Sequence, residues 1–164
     1  MKTSFRKLLQ FEQAAESYTQ RRTGETKLDY AIKKLSDKFT AINTAFTERL
    51  QAQLDDVRID HCLTDPPDDP NGKIVRDSAY RYVFTKEGEK ACKKELKKVG
   101  DALLDMEDIE IVPYFATQIP DDLTETELEA FSGLVIKPEQ VEAILKERET
   151  KLSIVPDEKE EKVA

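Results

Sequence analysis

LDYAIKKLSDKFTAINTAFTERLQAQLDDV, residues 28–57, decides the architecture of this chain. Leu28, Ile32, Leu35, Phe39, Ile42, Phe46, Leu50, Leu54 and Val57 follow one another there at spacings of four or three residues. That spacing places them on one face of a single helix. Such a face has to be buried, and a second helix is its usual cover.

The cover begins upstream. Ser4 is an expected N-cap for a helix over about 4–20, with Phe5, Leu8, Leu9, Ala15 and Tyr18 on its apolar face. Arg21, Arg22 and Gly24 end it: Gly24 suits the left-handed position after a helix, and the arginines suit the negative end of its dipole. Thr23 or Thr26 then caps the long helix. So short a connection makes the two helices antiparallel neighbours. The first is roughly half the length of the second. The distal half of the stripe therefore needs cover from later in the chain or from another copy.

Downstream, the period changes. Ile59, His61 and Leu63 alternate with polar residues, as in a short strand or a fraying helix end. Asp65-Pro66-Pro67-Asp68-Asp69-Pro70-Asn71-Gly72 reads as the tip of an irregular β-hairpin, because prolines exclude a ladder and Asn-Gly favours a turn. Tyr80, Tyr82 and Phe84 predict a strand. Thr85 caps a third helix to about Asp105, with Cys92, Leu96, Val99, Leu103 and Met106 on its apolar stripe. Gly100 in it suggests close packing or a weak point. Ile109, Ile111 and Val112 predict a further strand, able to pair in parallel with 80–84. Thr124 to Glu127 is a capping box for a short helix closed by Gly133. Pro138 suits the first position of a last helix.

The expected fold class is therefore α+β and mostly helical. A long antiparallel helical hairpin packs on a small strand–helix–strand unit, with short acidic C-terminal helices. One domain is expected over 1–152, divided into 1–58, 59–115 and 116–152, followed by a disordered, charged tail at 153–164.

Composition narrows the function classes. The chain has 164 residues, 37% of them charged, five glycines and no tryptophan. Few glycines argue against an all-β fold. No apolar run approaches the ~20 residues of a membrane span, and residues 1–7 lead into no apolar signal core. Cys62 and Cys92 are expected as free buried thiols in a reducing, cytoplasmic compartment. The net charge of −8 is uneven: residues 101–164 carry 6 basic and 18 acidic side chains.

The candidate sites are non-enzymatic. His61 is the single histidine; Cys62 beside it would point the opposite way on a strand, so a nucleophilic pair would need Cys92 brought to it. Aligning the 65–72 loop as a calcium loop on Gly72 puts Pro67 and Ser78 at ligand positions, and both fail. No cofactor or metal is expected. A protein partner, including a second copy of the chain, is expected at the distal stripe, Phe46, Leu50, Leu54 and Val57. The acidic residues Asp121, Asp122, Glu125 and Glu129 offer an alternative, an inhibitor that mimics a nucleic-acid backbone and blocks a host enzyme. A lesser alternative is nucleic-acid binding within Lys86–Lys98, by Lys90, Lys93 and Lys97 with Tyr80 and Tyr82 for stacking. The acidic last third counts against it.

Over roughly 5–136 the layout resembles a group of small bacteriophage and prophage proteins with no established activity. The resemblance rests on a short helix before a lysine-bearing long helix (Lys27, Lys33, Lys34, Lys38) and on the Asp69-Pro70-Asn71-Gly72-Lys73 turn. A Lys/Glu helix, the Ile109-Glu110-Ile111 strand, and Ile119-Pro120-Asp121-Asp122-Leu123 leading through Leu128 to Leu134-Val135-Ile136 complete it. It implies a phage accessory protein of the host cytoplasm or the virion, acting in assembly or as a chaperone, and it supplies no functional residues.

Overall fold

The computed structural model describes residues 1–22 and 25–153, without the side chains of residues 152 and 153. In chain order the elements are β1 (Lys2–Thr3), α1 (Phe5–Arg21), α2 (Lys27–His61), β2 (Thr64–Asp65), β3 (Lys73–Ile74), α3 (Lys86–Asp105), β4 (Ile109–Glu110), α4 (Glu125–Phe131) and α5 (Pro138–Ser153). The protein is α+β and mostly helical. The expected Thr23 cap and Gly24 terminus lie outside the described residues, as does the expected tail apart from Ser153.

Short polar side chains set the helix starts. Ser4 Oγ accepts from the Lys7 amide at 3.3 Å. Thr26 and Asp29 bond reciprocally: the Thr26 amide donates to Asp29 Oδ2 at 2.6 Å and the Asp29 amide to Thr26 Oγ1 at 3.2 Å. Thr85 Oγ1 accepts from the Gly88 amide at 3.0 Å. Thr124 and Glu127 form the predicted capping box. Each arrangement satisfies amides that the first turn leaves without a helical partner. Gly133 follows α4 at φ 76°, a conformation that favours glycine.

The chain forms two compact units, with boundaries inside α1 after Leu9, inside α2 after Asp37, and after Ile111. The first contains Met1–Leu9 and Lys38–Ile111. Its core centres on Phe5, Phe46 and Leu103, with Leu9, Phe39, Ile42, Leu50, Val99 and Leu104 partly buried around them. The Phe5 and Phe46 rings stack with centroids 3.8 Å apart. The distal stripe of α2 is thus covered by α1 and α3 of the same chain.

The small strands of this unit pair differently from expectation. β4 pairs antiparallel with β1, Lys2 opposite Glu110 and Thr3 opposite Ile109. The parallel strand–helix–strand unit is not formed. Residues 80–84 form no regular strand: Arg76 and Tyr82 make an isolated antiparallel bridge, the Val83 amide donates to Val75 O at 3.3 Å, and the Leu63 amide donates to Val83 O at 2.8 Å. Between the two sides Asp77 Oδ1 accepts from the amides of Ala79 and Arg81 at 2.8 and 2.9 Å. That side chain closes a turn in which Tyr80 sits at φ 60°. The expected hairpin does form, β2 pairing antiparallel with β3 across the proline loop. Residues 59–61 continue α2, so the helix-end alternative holds there.

The second unit contains Gln10–Asp37 and the chain from Val112 onward. Phe11, Tyr18, Leu28, Leu128, Phe131, Leu134, Val135 and Ile136 are fully buried in it. Phe131 receives the edges of Phe11 and Tyr18, with centroids at 5.7 and 6.0 Å. Arg21 reaches both carboxylate oxygens of the buried Glu127 at 2.5 Å, so the capping-box glutamate is also a charge partner of α1.

Candidate functional site

The second unit carries an aromatic surface that its core leaves uncovered. Tyr30 lies on α2 off the apolar stripe and is 51% exposed, while Tyr114 and Phe115 are 46% and 37% exposed. The Tyr30 and Tyr114 rings meet edge to face, centroids 5.5 Å apart. Val112 is 72% exposed. The Tyr114 amide donates to Leu134 O at 3.1 Å and the Ala116 amide to Val135 O at 2.8 Å, which ties this segment to the buried Leu134–Val135.

These rings border an open groove of about 700 Å³, lined by residues 25–27, Tyr30 and residues 114–118. A second hollow of about 320 Å³ also includes Tyr30 and is lined by Thr26, Asp29, Lys33, Lys34 and Asp37. Lys34 Nζ stands 5.4 Å from the Tyr30 ring centroid, within cation–π range. The groove lining offers aromatic area and hydrogen-bonding groups but no nucleophile–base pair. Its chemistry suits binding.

Neither Tyr30 nor the 112–115 segment belongs to the sequence-derived candidates. The run Val112-Pro113-Tyr114-Phe115 signals apolar surface next to a proline, which ends a ladder. Nothing in the periodicity tells which of its side chains face water.

The structure places the sequence candidates as follows. Phe46 and Val57 are buried and Leu50 and Leu54 half-buried; Phe46 and Leu50 pack with Phe5 and Leu103 in the core of the first unit, and Leu54 stays partly exposed. Asp122 pairs with Arg22, which holds its carboxyl below the usual range, chiefly by that hydrogen bond. Arg148 Nη2 donates to the Asp121 carbonyl at 2.8 Å. Glu125 and Glu129 are exposed. Of these acidic candidates, Asp122 is thus the one whose charge is countered by an arginine of the same unit.

On α3, Lys90, Lys93 and Lys97 are exposed, and Lys93 pairs with Glu89 at 2.6 Å. Tyr80 is 80% exposed. Tyr82 is half-buried beneath the Arg76 guanidinium, 4.2 Å from its ring centroid. That stacking face is occupied from within the chain.

The nucleophile candidates diverge. His61 Nε2 meets Glu95 Oε2 at 2.6 Å. Burial pushes both the Cys62 and the Cys92 thiols up, which lowers the thiolate fraction a nucleophile needs. Among the described residues no His, Cys, Asp and Glu group has the arrangement to hold a metal. No helix among them is long and apolar enough to cross a membrane. Compared with known proteins, the chain matches no family model, no curated protein and no solved structure.

Proposed function

We propose that this chain is a non-enzymatic accessory protein of phage type that works in the host cytoplasm by binding another protein through the Tyr30–Tyr114–Phe115 groove. The observation that carries the reading is this exposed aromatic cluster beside a core already saturated with apolar side chains. A protein that gains nothing in stability from exposed Tyr and Phe keeps them for contact, and such residues dominate protein interfaces. The partner is a protein that presents an apolar side chain to the groove. The assembly or chaperone role and any place in the virion rest on the resemblance to phage proteins.

The test is a comparison of variants in pull-downs from the producing cell, at low and high salt. Full-length protein should retain a defined protein partner at both salts, and Tyr114→Ser/Phe115→Ser should lose it. Lys90→Glu/Lys93→Glu/Lys97→Glu should leave it in place. Retention by the groove variant, with loss in the lysine variant and at high salt, would overturn the reading and favour a nucleic acid. Loss only on reversing the charge of Asp121, Glu125 and Glu129 would overturn it in favour of the acidic inhibitor.

A further inference from the structure

The first unit brings its two cysteines to one helix contact. On α3, Gly88, Cys92 and Glu95 are spaced by four and three residues and share a face. Both ends of that short row touch His61. A Cβ added at Gly88 would stand 2.9 Å from the His61 carbonyl oxygen, and Glu95 Oε2 lies 2.6 Å from His61 Nε2. Cys92 lies between these two contacts, and Cys62 directly follows His61. The Cys62 thiol donates to Ile59 O at 3.2 Å, so it turns back over the last turn of α2. The closeness has an electrostatic trace. Burial is the main cause that pushes the Cys92 thiol up, and the charge of a Cys62 thiolate is among the lesser ones. Cys62 is partly accessible and Cys92 buried, which orders their reactivity.

We infer that Cys62 and Cys92 form an oxidisable pair, which a small disulfide such as glutathione disulfide converts to an intramolecular bond tying the end of α2 to α3. The Cys62 thiolate attacks one sulfur of the oxidant, breaks its S–S bond and expels one glutathione thiolate. The Cys92 thiolate then attacks the Cys62 sulfur of the mixed disulfide and expels the second. Two electrons pass from the protein thiols to the oxidant, and the two protons released by the protein end on two glutathione thiols. Because the thiolate is the attacking species, the reaction speeds up with pH. A local shift at the α2–α3 contact brings the sulfurs to bonding distance, and the loop closed includes the β2–β3 hairpin.

The experiment uses the full chain, incubated with excess glutathione disulfide at mildly alkaline pH and then alkylated. The expected product is a monomer lighter by two hydrogens, with neither thiol alkylated and with a proteolytic fragment linking residues 62 and 92. Cys92→Ser should instead stop at a stable glutathione adduct on Cys62. Stable glutathione adducts on the unsubstituted chain, disulfide-linked dimers, or two thiols still open to alkylation would each overturn the inference. The unsubstituted chain decides the matter even where Cys92→Ser fails to fold.

Discussion

The two units use the same kinds of residue in opposite ways. Of the largest fully buried side chains, all but Leu8 belong to the second unit. There Phe131 packs against two other rings, and Glu127 is buried beneath the exposed Arg21. In the first unit, three buried residues are ringed by partly exposed ones, and the surface is charged helix. Both units expose large apolar side chains, the first Ile59, Ile74, Tyr80 and Met106 and the second Tyr30, Val112, Tyr114 and Phe115. What sets the second apart is that Val112, Tyr114 and Phe115 stand together in one segment, with Tyr114 against Tyr30, beside a fully buried core. A contiguous patch of that kind is what a binding protein keeps.

The largest break in that comparison should come from core truncation. Phe131→Ala is expected to cost about 3–5 kcal/mol, because its enclosed cavity cannot collapse. Phe46→Ala should cost less, about 2–3 kcal/mol, because half-exposed neighbours can close on the space. Urea denaturation of the two variants measures both; equal losses would mean the cores are equally tight.

A smaller effect of opposite sign is expected on α3. A Cβ at Gly100 would meet nothing within 4 Å, so the close packing suggested by sequence is absent there. Gly100→Ala should therefore stabilise by about 0.5–1 kcal/mol, through helix propensity and a less flexible unfolded chain. The thermal midpoint should rise, and a fall would show a neighbour that the open space hides.

Glu12 is an ill-suited acid in the second unit. Burial raises its pKa above the ordinary value of 4.5, and a hydrogen bond from Ser36 offsets this only in part. The native state thus holds the Glu12 proton more tightly than the unfolded chain. The resulting destabilisation is present at neutral pH and disappears as pH falls through the raised pKa to the ordinary one. Glu12→Gln should accordingly stabilise by about 0.5–1 kcal/mol at pH 7, with no gain below about pH 4. A gain independent of pH would assign it to something other than ionisation.

The smallest stability change belongs to the groove. Tyr114→Ser/Phe115→Ser should shift the unfolding free energy by less than about 0.5 kcal/mol per site, as for other surface positions. A loss of several kcal/mol would make these rings part of the core and remove the contrast between the units.

The helices were legible because their signals are local. The α2 stripe, the Thr85 and Thr124 caps, Gly133 and Pro138 all stand where the sequence puts them. What it hid depends on distant partners. β1 has two residues, and only Glu110 and Ile109, more than a hundred positions away, make it a strand. Residues 80–84 alternate like a strand, but their partners, Arg76, Val75 and Leu63, are reached only through the Asp77 turn and the proline loop. Periodicity likewise marks Phe46 as apolar without telling that Phe5 and Leu103 pack with it. Tyr30 stayed invisible because a single aromatic off the stripe has no pattern, and it joins Tyr114 only through folding.

The central claim is that the second unit's aromatic groove holds a protein partner. Its most direct test places a photo-crosslinking benzoylphenylalanine at Tyr114, and in a separate variant at the more exposed Tyr80, in the producing cell. A discrete protein adduct from position 114, with none from position 80, is the predicted result. No adduct from position 114, or a nucleic-acid adduct from position 80, would contradict it.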